Sequence, residues 1–98
     1  MSVEFIVPDS ANEMVRVTIR NRGAGNAVIS GEFVSHIANE EYILIVLERV
    51  TICITGHHTD NGWNVHIQSF NKDGVTAFHE HEYDDVECVS MRPIKESR

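Results

Sequence analysis

The chain has 98 residues, 42% of them hydrophobic, and a formal net charge of −7. This length supports one domain with a modest core, and the longest apolar run, Tyr42 to Leu47, is too short for the roughly 20 residues that span a bilayer. The acidic balance argues against a protein that binds nucleic-acid backbones, whose affinity comes mainly from Lys and Arg.

The cellular setting is predicted from the first residues and from the two cysteines. The first residues lack the basic and apolar segments of a secretory signal, so we expect a cytoplasmic protein that contacts no membrane. Cys53 and Cys88 are far apart in the sequence and form no CxxC pair. We therefore predict two reduced and partly buried thiols that pack as small hydrophobes of the core.

Residue patterns in the first half of the chain predict strands and little else. Val3 to Val7 is mostly apolar and precedes a proline, which favours an edge strand. Ser10 to Glu13 matches a capping box and predicts at most one helical turn. Val15 to Arg20 alternates strictly between apolar and polar residues, which predicts a half-buried strand. Ala27 to Ile37 alternates again, and Gly31 within it predicts a bend.

The next segment, Tyr42 to Leu47, is an uninterrupted apolar run, so a strand formed by it is apolar on both faces. Such a strand is buried on both sides or lies at an interface. We therefore predict that it joins copies of this chain into a homo-oligomer. The predicted interface residues are Tyr42, Ile43, Leu44, Ile45, Val46 and Leu47. Glu48 and Arg49, which follow, predict a turn or a bulge.

The second half of the chain predicts further strands and a hairpin. Val50 to Thr55 resumes the alternation of apolar and polar residues. Trp63 to Phe70 and Val75 to Tyr83 are two more predicted strands. They are joined by Asn71 to Gly74, which has the composition of a tight hairpin turn.

The last segments complete one predicted domain. Asp84 and Asp85 predict another turn, and Val86 to Met91 predicts the final strand. Pro93 cannot continue a ladder of hydrogen bonds, so residues 1–92 are predicted as one domain and residues 93–98 as a polar tail. The whole pattern predicts an all-β fold, a small and strongly bent β-barrel with an extra hairpin.

Part of the chain resembles the first motif of the Sm-like (Lsm) barrel family. The matching segments are an alternating strand, a Gly turn, a Gly-centred strand, an Asn and a third apolar strand, at Val15 to Ile19, Gly23, Ile29 to Val34, Asn39 and Tyr42 to Leu44. Tyr83 to Val89 resembles the way in which Sm-like and SH3-like barrels close. The resemblance covers about half of the chain. It implies a bent barrel, assembly into a ring and binding of RNA.

Several departures separate the chain from the RNA-binding members of that family. Their second motif has an Arg-Gly pair, which is absent between Tyr83 and the end, while Arg22-Gly23 lies in a different loop. His36 stands where an acidic residue is expected. The segment from Val50 to His81 is also longer than the family needs. The resemblance therefore supports the barrel and the oligomer more than it supports binding of RNA or nucleotides.

Histidine is the most unusual chemical feature of the chain. The six histidines are His36, His57, His58, His66, His79 and His81. If Asn71 to Gly74 is the whole hairpin loop, Phe70 pairs with Val75, His66 falls opposite His79, and Asn64 falls opposite His81. Opposed Cβ atoms lie about 5 Å apart, close enough to share a ligand. The predicted ligand-binding residues are Asn64, His66, His79 and His81.

Two interpretations of this histidine face stay open. One is a divalent-metal site, or an anion site that gains charge below about pH 6.5. The other is a solvated sheet face whose polar residues happen to be histidine. The same register directs Glu80 and Glu82 to the opposite face, so they are poor co-ligands in this register. His57 and His58 predict a solvated loop.

The sequence carries no catalytic signature. It has no nucleophile elbow, and its glycines do not open a helix as a phosphate-binding loop does. We therefore predict a non-enzymatic binding or assembly module, an oligomerising barrel that binds a protein partner or a small ligand. The alternatives are an acidic inhibitor that covers the basic surface of a nucleic-acid-handling protein, a metal-binding protein that uses the histidine face, and an Sm-like binder of RNA or nucleotides. No cofactor is implied apart from that divalent metal.

Overall fold

The computed structural model describes residues 2–10, 12–22, 25–56, 63–70 and 77–94. These residues form seven strands and no helix, which confirms the predicted all-β fold. The strands are β1 (Ser2–Phe5), β2 (Met14–Asn21), β3 (Gly25–Ala38), β4 (Tyr42–Leu47), β5 (Val50–Thr55), β6 (Trp63–Phe70) and β7 (Ala77–Pro93). Within the described ranges, no helix has the length and apolarity needed to cross a membrane.

The strands close into a ring that is not a regular barrel. Their order is β1-β7-β2-β3-β4-β5-β6, and β6 pairs back onto β7. Two long strands are each divided between two sheets. β3 pairs with β2 through residues 25–32 and with β4 through residues 33–38. β7 pairs with β6 through residues 77–86 and with β2 through residues 86–93.

The molecule can therefore be described as two sheets that share β3 and β7. The first sheet contains β1, the end of β7, β2 and the start of β3. The second sheet contains the end of β3, β4, β5, β6 and the start of β7. β1 is an edge strand, as predicted, and it runs parallel to β7.

The core lies between the inner faces of the two sheets. Alternation within each strand places one set of apolar side chains inward, as the pattern in β2 predicts. These side chains form one buried cluster: Val15, Val17, Ile19, Phe33, Ile43, Ile45, Leu47, Ile52, Ile54, Trp63, Val65, Ile67, Val86, Val89 and Met91.

β3 passes from one sheet to the other at a glycine and a bulge. A Cβ on Gly31 would lie 3.3 Å from Leu47 Cδ1, so the missing side chain lets the β4–β5 turn approach closely. The register with β4 shifts between Phe33 and Ser35, where one extra residue bends the strand. The bend predicted at Gly31 is thus found beside this close approach.

β7 contains a bulge where we predicted a turn. The chain does not reverse at Asp84 and Asp85, because β7 continues through them to Pro93. Asp85 has a φ of 57°, in the left-handed region. The register with β6 shifts between Tyr83 and Val86, and the register with β2 shifts next to it, between Val86 and Cys88. The two acidic residues have the composition of a turn, but here the positive φ accommodates a bulge.

Three further predictions are corrected or lie outside the described residues. The described residues between Ser10 and Glu13 form no helical turn, and the Asn12 N–H donates to the Phe33 carbonyl at 3.0 Å. The last strand extends past its predicted end at Met91 to Pro93, and the Ile94 N–H donates to the Met14 carbonyl at 2.9 Å. The predicted loop with His57, His58 and Asp60, the turn at 71–74 and residues 95–98 lie outside the described residues.

Candidate functional site

The β6–β7 hairpin places the predicted site residues differently from the expected register. His66 lies opposite Glu82, and His81 lies opposite Ile67. His79 pairs with Ser69, so neither histidine of β7 is the partner of His66. The prediction that His66 opposes His79 and that Asn64 opposes His81 is wrong.

The predicted register of the β6–β7 hairpin was wrong because the loop is longer than expected and because a bulge follows at Ser69 and Phe70. Phe70 pairs with Ala77 instead of Val75, which lengthens the loop by two residues and preserves the face. A register shift between Ser69 and Phe70 then adds one more residue. A shift by one residue exchanges the two faces of a strand, so Glu80 and Glu82 join His66 on the outer face.

A polar ladder results on the outer face of the second sheet. Its residues are Asn64, His66, Gln68, Glu80, Glu82 and Asp84. The Asn64 amide donates to Glu82 Oε1 at 2.8 Å and to Asp84 Oδ1 at 2.7 Å. The Gln68 amide donates to Glu80 Oε1 at 2.9 Å.

His66 completes the ladder beside the carboxylate of Glu80. Its Nε2 lies 3.6 Å from Glu80 Oε2, and both side chains are about half exposed. The His81 ring packs against Tyr83 with centroids 4.3 Å apart. Among the described residues, no three or more His, Cys, Asp or Glu side chains converge on a metal position. The binding role of Asn64, His66, His79 and His81 stays a prediction.

The predicted interface strand β4 divides its residues between the core and the surface. Ile43, Ile45 and Leu47 are buried in the core of this chain. Tyr42, Leu44 and Val46 are half-buried on the outer face. Only Tyr42, Leu44 and Val46 are available to a partner, so the predicted interface of Tyr42 to Leu47 is reduced to these three residues.

The outer face of β3 and β4 forms a continuous apolar surface. Leu44 lies opposite Ile37, and Val46 lies opposite Ser35. Ile37 and the bulged Val34 are each 50% exposed. We call Val34, Ile37, Tyr42, Leu44 and Val46 the outer β3–β4 surface. It borders the polar ladder, because Leu44 opposes Cys53 on β5 and Cys53 opposes His66.

No disulfide joins Cys53 and Cys88, as predicted, and neither residue belongs to the buried core cluster. Cys53 and Cys88 are both half-buried. They occupy outward positions, because their neighbours Ile52, Ile54 and Val89 are the buried residues of the same strands. The alternation of β5 already predicts this placement of Cys53, because it assigns the inner face to the isoleucines.

A groove with two arginines lies on the outer face of the first sheet and was not predicted. Its lining residues are Arg16, Thr18, Ser90, Arg92, Pro93 and Ile94. Arg16 lies opposite Arg92, and Thr18 lies opposite Ser90. The strict alternation of β2 places Arg16 and Thr18 outward, but the predicted final strand ended at Met91, one residue before Arg92, which is the partner of Arg16. We call these residues the arginine groove.

Comparison with known proteins identifies no protein related to this chain. No known protein family, curated protein or solved structure matches this chain significantly. The resemblance to Sm-like and SH3-like barrels therefore remains a prediction.

Proposed function

We propose that this protein is a non-enzymatic assembly module whose copies associate through the outer β3–β4 surface. The observation that carries the proposal is the exposure of this surface. Ile37 on β3 is 50% exposed and lies directly opposite the half-buried Leu44. A contiguous exposed apolar patch of this kind is typical of a protein–protein interface.

The backbone beside this patch supports the same proposal. Residues 34–38 of β3 are all exposed, and in the described part of the chain they pair in the ladder only with β4. Their other edge therefore offers N–H and C=O groups to an added strand. Strand addition supplies hydrogen bonds, while Ile37 and Leu44 supply apolar contact area.

The border of the patch also fits an interface between copies. Polar groups surround it, with the polar ladder beyond Cys53 and the exposed Glu40 and Glu41 in the β3–β4 turn. An apolar centre with a polar rim is the usual anatomy of an interface. Tyr42, at the end of the patch, combines an apolar ring with a hydroxyl, a combination that is enriched in such contacts.

Sedimentation equilibrium on the wild-type protein and on Ile37→Lys tests the proposal. We expect a concentration-dependent oligomer for the wild type. A buried lysine without a partner strongly disfavours association, so Ile37→Lys is expected to be monomeric over the same concentration range. Native mass spectrometry of the untagged protein then reports the number of copies.

Val28→Lys is the matched control because Val28 lies on the same strand with similar exposure, 57%, but in the first sheet. It is expected to leave the oligomer unchanged. A wild-type protein that stays monomeric at high micromolar concentration overturns the proposal. Equal dissociation by both lysine variants overturns the assignment of the surface.

A further inference from the structure

We propose that the arginine groove binds a phosphoryl group, the doubly charged tetrahedral oxyanion of a small phosphorylated molecule. This site is on the first sheet and is separate from the outer β3–β4 surface on the second sheet. It therefore stands or falls independently of the assembly proposal.

The register of β2 and β7 brings the binding groups together. Arg16 and Arg92 are directly opposed, and one step along the same face Thr18 and Ser90 are directly opposed. Opposed side chains on a sheet have Cβ atoms about 5 Å apart. Two guanidinium groups and two hydroxyl groups thus border one patch of the surface. Arg20 lies one further step along the outward face of β2, beyond Thr18.

The charge arrangement is unfavourable without an anion. Like charges placed directly opposite each other destabilise a pair of strands. The chain has 15 acidic and 8 basic residues, so carboxylate partners are abundant. Yet the described carboxylate that reaches this pair is Glu4, whose Oε2 lies 3.8 Å from Arg92 with both side chains 67% exposed. The described residues provide no ion pair for Arg16 within 4.0 Å.

The donor set matches a phosphoryl group better than a carboxylate. A single arginine already satisfies a carboxylate through a two-bond fork. Two arginines from adjacent strands, with two hydroxyl donors beside them, suit an anion with three or four oxygens and two charges. Pro93 and Ile94 form an apolar wall beside these groups. Such a wall fits the organic part of a phosphate ester.

Glu4 gives the proposal a distinctive signature. Its carboxylate occupies the position beside Arg92 that an external anion would compete for. Removal of that charge is therefore expected to strengthen phosphate binding, whereas removal of either arginine is expected to weaken it. A nonspecific attraction between phosphate and a generally basic surface would not depend on Arg16 and Arg92 in this selective way.

The experiment is a titration with inorganic phosphate, at constant ionic strength, followed by backbone amide NMR shifts. We expect saturable shifts over the millimolar range in β2 and in residues 88–94. Arg16→Gln and Arg92→Gln each remove charged hydrogen bonds, so each is expected to weaken binding about tenfold. Glu4→Gln is expected to tighten it.

Arg22→Gln is the matched control, because Arg22 is already paired with Asp85 at 3.5 Å and with Glu87 at 3.9 Å. It is expected to leave the phosphate affinity unchanged. Thermal unfolding of each variant verifies that the exposed substitutions preserve the fold.

Several outcomes overturn the proposal. One is the absence of saturation with phosphate over the millimolar range. Another is equal affinity for acetate, which would remove the assignment to a tetrahedral dianion. Binding that is insensitive to Arg16→Gln and Arg92→Gln would place the anion elsewhere. Binding of short single-stranded RNA without binding of phosphate would replace the small ligand by a polymer.

Discussion

Among the described residues, three other than glycine have backbone angles in the left-handed region. They are Asn12, Arg49 and Asp85, with φ of 69°, 65° and 57°. Asn and Asp tolerate this conformation because their short side chains form local hydrogen bonds. Arg49 has no such compensation, and it occupies the two-residue turn between β4 and β5, where Leu47 pairs with Val50.

Arg49→Gly is therefore expected to stabilise the protein. Glycine adopts a positive φ without the steric cost of a Cβ, which is about 1 kcal/mol for other residues, offset in part by its more flexible unfolded chain. Urea denaturation measures the change in the free energy of unfolding. Arg49→Ala removes the same charge but keeps the Cβ, so it is expected to give no such gain. Equal stabilisation by both variants would assign the effect to charge.

The interaction between the carboxyl groups of Glu32 and Glu48, at the start of the β4–β5 turn, makes the stability of the protein depend on pH. A hydrogen bond that the protonated Glu32 carboxyl donates to Glu48, together with the repulsion of the Glu48 charge, raises the pKa of Glu32 above its ordinary value of 4.5. Because the folded state favours the protonated carboxyl, the associated stability is fully present below pH 4.5 and is lost as the pH rises through the raised pKa.

Glu32→Gln is expected to raise the urea midpoint at neutral pH, where the two carboxylates repel each other in the wild type. Below pH 4.5 the difference between the two proteins is expected to disappear, because Glu32 is then protonated. Glu40→Gln, at an exposed position in the β3–β4 turn, controls for the loss of one negative charge. A difference that persists unchanged into acid would contradict the carboxylate pair as its source.

At the scale of single elements, the close packing of β3 against Leu47 of β4 depends on the absence of a side chain at Gly31. Gly31 faces Leu47, which is 2% exposed and anchors the end of β4 in the core. Gly31→Val places three carbon atoms into this contact. We expect a loss of about 1–3 kcal/mol in the free energy of unfolding, since overpacking displaces well-packed neighbours.

Ser30→Val is the control for this substitution, because Ser30 is the exposed neighbour on the same strand. Valine suits a strand and has open space there, so this variant is expected to be neutral or mildly stabilising. Chemical denaturation of both variants makes the comparison. An undiminished stability of Gly31→Val would show that the end of β4 can move away from β3.

The elements themselves were largely predictable, whereas their registers were not. Alternation identified β2 and β5, because each has one buried face. The register between β6 and β7 depends on the loop length and on a bulge near Phe70. The residue types in the sequence indicate neither of these. Asp84 and Asp85 have the residue types of a turn, but tertiary pairing on both sides of β7 holds them in a strand. The predicted site therefore included His79 and His81 of β7, whereas the polar ladder contains Glu80, Glu82 and Asp84 of that strand.

At the scale of the whole molecule, the division of β3 and β7 between two sheets makes folding nonlocal. β7 pairs with β1 and β2, which lie at the opposite end of the sequence. Such pairings must close long loops before they gain contacts, so we expect folding in milliseconds to seconds. Stopped-flow fluorescence can follow Trp63, the single tryptophan, which is 4% exposed. Microsecond folding would contradict this expectation.

The outward arginines of the first sheet and the carboxylates of the polar ladder have one further consequence. Since the inner faces of the two sheets pack together, these charges lie on opposite sides of the molecule. The described part of the chain therefore has one outer face with unpaired positive charge at Arg16 and another with the ladder carboxylates, within a protein of net charge −7. A positively charged matrix would attract the face with the polar ladder more strongly than the face with the arginine groove.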